Sequence, residues 1–389
     1  MAVEDRFKPV NEVAKKKESV IKNSADLIKE ASRKILNIQS GEETPLITRY
    51  NHLNENLLGG FYNGVIVSIA ALSGFGKSTI LKHIEDDLFD KSLNEHCDEV
   101  VLLKCNYEMT IFNLLLRRLK EGMKKKMKNI LSKKFSETEE SVFEDIVLKE
   151  SNPNIYYIEK PLTPKEWYEV VKEFIISHSD KKSICISIDH LALVKDNGNK
   201  KQSMDEMIDY MNELKKEFPN VFFIILSQMN RELEVRTDIK NMQPKASDLY
   251  NSSNIMFISD VVLIIHNPFK LGIMKYMLFS PSRYPHLTDF MYDSNRDYTN
   301  FETKNTIMWH YIKIRQDDRE PDEEKDNTLY IERLYPTTIK QFDTEYKVAK
   351  LAKKELPKYD PNDKGIWGDL PVTETKKQVD EDDSEDYPF

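Results

Sequence analysis

A chain of 389 residues, 40% hydrophobic and 32% charged, has ample length for a full core and a prior of two or three domains. No apolar run approaches the ~18 residues that a membrane span needs, so no membrane-spanning helix is expected, and the start, Met1 to Asp5, has no apolar h-region, so nothing suggests secretion. The net charge of −9 is uneven: six acids (Asp380, Glu381, Asp382, Asp383, Glu385, Asp386) crowd the last ten residues with no basic residue among them. A mildly acidic body does not exclude nucleic acid, because local basic patches set the phosphate contacts.

From about Asn11 to Gln39, Ile21, Ala25, Ile28, Ala31 and Ile35 recur at spacings of three and four, which predicts an amphipathic helix. Its stripe could pack on its own domain or on a neighbouring subunit. Gly41 through Pro45 reads as a break. Asn51 to Gly64 ends in a helix stop and a turn that feeds a first strand, Val65 to Ala71. There the apolar run meets Ser73-Gly74-Phe75-Gly76-Lys77-Ser78-Thr79 and an amphipathic segment to about Phe89. Strand, Gly-rich loop and helix in that order make a phosphate-binding loop. Its backbone N–H groups and the helix N-terminus can wrap a polyphosphate, Lys77 can reach the β- and γ-phosphates, and Ser78 can ligand Mg²⁺. The first glycine of the usual G-x-x-x-x-G-K-[ST] pattern is Ala71 here.

A second strand, Val100 to Lys104, completes a βαβ unit, with Glu108 and Met109 just past its end. Arg117 to Lys134 is a basic run with Glu121 as its one acid, either a solvated helix face or a nucleic-acid surface. Ser136 and Glu139 fit a capping box, and Thr163-Pro164 an N-cap and first helical position. Buried strands are expected at Ser183 to Ile188, ending at Asp189, at Val221 to Leu226, ending at Ser227-Gln228, and at Asp260 to Ile265. A late strand spans Ile307 to Ile314. Strands alternating with helical patterns argue a mostly parallel α/β sheet. Cys97, Cys105 and Cys185 sit in or beside apolar runs without paired spacing and read as reduced, cytosolic residues. From about Tyr346 the apolar pattern thins into a Pro-containing linker and an acidic tail, expected to be disordered.

In parallel α/β sheets, ligands sit beyond the carboxyl ends of the strands, and polar groups fall there repeatedly in this chain. Asp189, at the Walker B position, would hold Mg²⁺. Glu108 is placed to orient and deprotonate an attacking water. Gln228 can sense a γ-phosphate by hydrogen bonding. The implied reaction is nucleoside triphosphate hydrolysis with ATP and Mg²⁺.

Over about residues 46 to 320 the sequence resembles the DnaB-type replicative helicases, the hexameric branch of the RecA-like ATPases, and especially their phage members. Ile47-Thr48 through Gly59-Gly60-Phe61 resembles the family's approach to the sheet, and Ala71 to Ser78 its Walker A, where alanine at the first position is familiar. Glu108-Met109 matches its catalytic pair, and Ile188 to Leu193 its Walker B segment, with His190 where an aromatic is usual. Ser227 to Arg236, continued by Pro244, Ser247-Asp248-Leu249 and Asp260-Val261-Val262, resembles its sensor and DNA-loop region. Lys313-Ile314-Arg315 matches its Lys-x-Arg pair.

That resemblance implies a RecA-like sheet flanked by helices and a ring, a hexamer, that moves 5′ to 3′ on single-stranded DNA. Arg315 would be an arginine finger inserted into the neighbour's ATP site, with Lys313 beside it, and Lys200, Lys201, Arg236, Lys240 and Lys245 would line the DNA channel. Primase, a helicase loader or a polymerase are the implied partners, and the cytoplasm, a host's if the source is viral, the implied location. The expected divisions are an N-terminal helical, subunit-linking segment 1–45, the ATPase domain 46–345 and a linker with acidic tail 346–389. Three departures stand out. About 45 residues precede the ATPase region where cellular members carry a large N-terminal domain. Gln316 to Glu320 replaces a Gly-rich continuation. A polar stretch between His266 and Thr306 looks inserted.

Two other readings remain open: a RecA/RadA-like strand-exchange ATPase, and a non-helicase ATP switch or replication scaffold. The tail's final Pro388-Phe389 resembles the acidic C-termini of bacterial single-strand-binding proteins, which implies docking through Phe389. The plain alternative is a solubilising tail.

Overall fold

The computed structural model describes residues 23–191, 194–196, 198–236, 244–249, 252–272, 275–277, 300–302, 306–315 and 329–333. Lys240, Phe389, the whole tail and the first 22 residues lie outside them.

Eight strands form one sheet: β1 Ile66–Ala71, β2 Val100–Asn106, β3 Ile155–Ile158, β4 Ser183–Asp189, β5 Val221–Gln228, β6 Val261–His266, β9 Thr306–Ile314 and β10 Leu329–Arg333. Two short strands, β7 Lys275–Met277 and β8 Asn300–Glu302, pair as a separate antiparallel ribbon within the polar stretch after β6. The order across the main sheet is β10-β9-β6-β1-β5-β4-β2-β3. The six strands from β6 to β3 run parallel, whereas β9 lies antiparallel beside β6 and β10, antiparallel to β9, returns to the common direction at the edge. A mostly parallel, RecA-like sheet is therefore present. The reversal at β9 was not readable from its apolar run, because strand direction is set by the connection and not by side-chain pattern.

Alternation along the strands divides the core between two faces. Val67, Ile69, Phe222, Ile224 and Leu226 face one side, where α2 (Asn51–Asn56) supplies Leu53 and α3 (Lys77–Leu88) supplies Ile80, Leu81, Ile84 and Leu88. Ile66, Ile184, Ile186, Phe223 and Ile225 face the other. There α7 (Pro164–Ser177) contributes Trp167, Val171 and Ile175, α8 (Lys200–Glu217) Met204, Met207, Met211 and Leu214, and α9 (Ser252–Ile258) Ile255. Burial on both faces explains why these strands read as continuous apolar runs. The capping boxes at Ser136 and Thr163 are both present.

Between β2 and β3 lie α4 (Ile111–Met123), α5 (Met127–Ser132) and α6 (Glu137–Glu150), joined by a small cluster of Leu116, Leu119 and Ile130. The basic run Arg117–Lys134 is not one solvated face. Lys124 takes the left-handed conformation (φ 53°) and ends α4. Arg118 turns inward and pairs with Asp86 at 2.5 and 2.7 Å and with Glu150 at 2.7 Å.

The helix α1 (Ser24–Ser40) starts at Asn23, whose side chain accepts from the Ala25 N–H, and stops at Gly41 (φ 80°). None of its residues is buried, and Leu27, Ile28, Ile35 and Leu36 remain at least 45% exposed. Its apolar stripe thus finds no cover among the described residues.

Candidate functional site

The loop from Ser73 to Thr79 sits where β1 emerges between β5 and β6. Gly74 (φ 77°) and Gly76 (φ 99°) take left-handed conformations that side chains resist, the backbone geometry with which a loop can present successive N–H groups to an anion. Ala71 needs no such freedom. It is the last residue of β1, fully buried and paired with Gln228 on one side and Ile265 on the other, so the missing first glycine costs the loop nothing. Phe75 is buried beside the His266 ring, 6.2 Å away between centroids, which anchors the loop's outer corner.

Lys77 opens α3 and folds back over the loop, its Nζ donating to the carbonyls of Ala71 (2.7 Å) and Leu72 (3.2 Å). Burial lowers its pKa, while the carboxylates of Asp189 and Glu108 act in the opposite sense. The ammonium thus waits in the cradle among acceptors that phosphate oxygens can replace.

The acids come from neighbouring strands. Asp189 ends β4 and lies in register with Asn106, the last residue of β2. Burial, then the charge of Glu108, pushes the Asp189 carboxyl up to about 6, against a hydrogen bond from Ser78 that favours the charged form. Two carboxylates and a hydroxyl meeting beside the phosphate cradle fit a divalent cation, which would relieve both the burial and the mutual repulsion. Glu108 itself is exposed, on a turn held by the Asn106 amide, which donates to the Met109 carbonyl. Gln228, at the exposed end of β5, stands next to Ala71 across the β1–β5 pairing. The loop, Asp189, Glu108 and Gln228 therefore share one edge of the sheet.

Below them runs a buried polar floor. Lys104 of β2 pairs with Glu85 of α3 at 2.7 Å, and the Ser187 hydroxyl of β4 donates to the same carboxylate at 2.6 Å. Burial works against the Lys104 charge, but Glu85 outweighs it and the net shift is upward.

Two contributors were missed in the sequence. His190 follows Asp189 with φ 89°, a strained conformation for a residue with a side chain, and hydrogen-bonds Gln228, so the β4 and β5 ends are joined. Its place in an aromatic's position was the available signal. Lys270, in the turn after β6, donates its Nζ to the Gly74 carbonyl and so touches the crest of the phosphate loop. No motif marks it.

The expected channel residues divide. Lys200 and Lys201 are exposed in the first turn of α8, and Lys245 is exposed near the end of the segment after β5. Arg236 instead forms a two-pronged pair with the buried carboxylate of Asp248, one bond being 2.9 Å.

Lys313 and Arg315 lie at the opposite edge of the sheet, at the end of antiparallel β9. Lys313 donates to the carbonyls of Met256 and Phe257, and Arg315 to that of Phe257 at 2.6 Å, so both cap the C-terminus of α9. Burial, then the charge of Arg315, lowers the Lys313 pKa.

A family profile described as the DnaB-like helicase C terminal domain matches residues 46–274. Among solved structures, the chain is similar to one described as an ATPase domain, with a TM-score of 0.59 at 17% identity, over 83% of this chain and 98% of that one. It is also similar to a chain from "The Structure Of A DnaB-Like Replicative Helicase And Its Interactions With Primase", with a TM-score of 0.54 at 17% identity, over 77% of this chain and 63% of that one. None of the curated protein sequences compared matches this chain.

Proposed function

Since the chain belongs to the DnaB-like helicase C-terminal-domain family, we propose that it is an ATP-driven replicative DNA helicase whose subunits assemble as a ring on single-stranded DNA. One observation carries the mechanistic part of this reading. The phosphate loop, Asp189, Glu108 and Gln228 share one edge of the sheet while Lys313 and Arg315 stand at the other. A subunit so built holds half of one hydrolytic site and half of the next.

In this reading Ser73 to Thr79 cradle the triphosphate, Lys77 leaves its carbonyls for the β- and γ-phosphates, and Ser78 with Asp189 would hold Mg²⁺. The metal would supply charge neutralisation on the phosphates. Glu108 takes the proton of the attacking water, and Gln228, joined to His190, reports the γ-phosphate to the segment that follows it. Arg315, with Lys313, completes the neighbour's site, a role worth 10³–10⁵ in turnover in better-studied NTPases. Lys200, Lys201 and Lys245 would meet the DNA backbone, the resemblance assigns Lys240 the same role, and Arg236 would support the loop through Asp248. The uncovered stripe of α1 supports assembly, since a neighbouring subunit would bury it, and residues 1–45 then serve as the linking segment.

Movement 5′ to 3′, six subunits, a primase, loader or polymerase as partner, a tail that docks through Phe389, and a cytoplasmic setting belong to the same proposal. Among the described residues no helix is long and apolar enough to cross a membrane. ATP hydrolysis and forked-duplex unwinding, measured for wild type, Lys77→Ala, Glu108→Gln and Arg315→Ala, test the reading. All three variants should lose both activities. Wild-type protein that hydrolyses ATP yet leaves the fork intact would support the switch reading instead.

A further inference from the structure

Arg315 does not stand alone at the foot of the sheet. Its backbone N–H donates to the Asp260 carbonyl at 2.7 Å, and its Nη1 lies 3.0 Å from Asp260 Oδ1. The other carboxylate oxygen, Oδ2, is already occupied: it accepts from the Ile66 N–H at 2.8 Å and from Lys215 Nζ at 2.7 Å. Asp260 also donates its own N–H to the Ile66 carbonyl at 2.8 Å. The carboxylate is therefore fixed from β1 and α8 before Arg315 reaches it. Its side chain is 14% exposed, whereas that of Arg315 is 44% exposed.

This asymmetry matters for an arginine that must work outside its own subunit. A fork of five N–H donors has many rotamers, and a loose one would lose most of its effect through misplacement. Here Nη1 is held by a rigid acceptor, the backbone is held by the same residue, and Nη2 rests on the Phe257 carbonyl at 2.6 Å. Phe257, 78% exposed beside them, supplies an apolar rim. Lys215, Lys313 and Arg315 give the patch an excess of positive charge that suits the polyphosphate of an adjoining subunit.

We propose that Asp260 is the positioning residue of the trans-acting arginine: it holds Arg315 by backbone and guanidinium at once, so that the free donors meet the neighbour's γ-phosphate at a set angle. The inference rests on the finger role given to Arg315 above. The contact to Phe257 is exchanged for phosphate when subunits close, while the contact to Asp260 stays.

The test is steady-state ATP hydrolysis of the assembled full-length protein on an oligo(dT) strand. A displacement of about 1 Å at a catalytic group can cost 10²-fold, so Asp260→Asn should lower kcat by roughly 10- to 100-fold with KM for ATP and the assembled mass unchanged. Adding Asp260→Asn to Arg315→Ala should slow the enzyme no further, because the residue it positions is gone. If Arg315→Ala collapses turnover but Asp260→Asn matches or exceeds wild type, the positioning role is wrong and the finger stands. If the double variant falls by the product of the two losses, Asp260 acts elsewhere and the inference is also lost. Full turnover in Arg315→Ala would remove the finger and the inference together. Should Asp260→Asn fail to fold, Asp260→Glu decides the matter: it keeps the charge, moves it by one methylene, and should show the same fall in kcat alone.

Discussion

Lys77 and Arg315 stand at opposite ends of one sheet. Val67 pairs with Val261 across β1 and β6, and Val261 pairs with Ile314 across β6 and β9, so Arg315 lies level with the foot of the strand whose head leads to Lys77. Five residue steps of β1 separate Ala71, whose carbonyl Lys77 holds, from Ile66, bonded to Asp260, or roughly 17 Å of strand. One arginine side chain cannot span that distance to its own nucleotide. A catalytic Arg315 must act on another copy.

Subunit mixing checks this directly. On the proposed function, rings of Lys77→Ala would have intact fingers and dead phosphate loops, and rings of Arg315→Ala the reverse. Each alone should be near background, and a mixture should recover ATP hydrolysis well above the average of the two, because some intact loops then meet intact fingers. A mixture no faster than that average would place Arg315 outside the reaction.

Arg236 and Lys200 should respond differently to substitution although both were expected at the DNA channel. The Arg236 guanidinium is committed to Asp248, whose side chain is 3% exposed. Breaking a buried pair leaves an uncompensated charge, so Arg236→Ala should cost about 3 kcal/mol in urea unfolding. Lys200→Ala should leave stability within about 0.5 kcal/mol and reduce the salt slope of oligo(dT) binding by about 0.7, the value for one phosphate contact. A changed salt slope with unchanged stability in Arg236→Ala would make it a direct DNA contact.

Acid should destabilise the fold through His52. The ring is fully buried against Trp309 at 4.7 Å, with Nδ1 2.6 Å from the Tyr311 hydroxyl, and burial holds its pKa down at about 3 against an ordinary 6.5. Between those values the unfolded chain binds a proton that the folded chain refuses. The contribution is therefore intact above pH 6.5 and lost progressively as pH falls toward 3, reaching about 2 kcal/mol at pH 5. Unfolding curves at pH 7 and pH 5 should differ by about that much less in His52→Asn than in wild type. Equal pH dependence in both would show that His52 titrates normally.

The exposed stripe of α1 predicts an assembly defect without a folding defect. Ile28 and Leu36 are 66% and 62% exposed, so Ile28→Asp with Leu36→Asp removes no internal packing. The melting temperature of dissociated subunits should stay within about 2 °C, while sedimentation shows smaller particles. Unchanged particles would mean that α1 is not a subunit contact.

Much of the nucleotide edge was legible because its residues are local in sequence. A strand, two glycines and Lys77-Ser78 fit in one short window, and Asp189 and Gln228 announce themselves at the ends of apolar runs. What could not be read depends on distance along the chain. Arg236 shows no sign in sequence of whether it meets DNA or Asp248, twelve residues on. Asp260 reads in sequence as the first residue of an apolar strand, yet its partners Ile66, Lys215 and Arg315 come from distant parts of the chain. His190 and Lys270 act through a strained backbone and a loop crest that only tertiary structure creates.

The bond from Ile66 to Asp260 gives β1 a mechanical character. One end of this six-residue strand leads into the loop proposed to grip a nucleotide, and the other is fastened to the residue that holds Arg315. Flanked on both sides by hydrogen-bonded strands and sealed on both faces, it is a strut of roughly 20 Å with little room to bend. In a closed ring such struts would lie head to foot with a nucleotide at each joint. A shift at one joint would then reach the next almost undiminished, and firing order would be a property of stiffness as much as of chemistry.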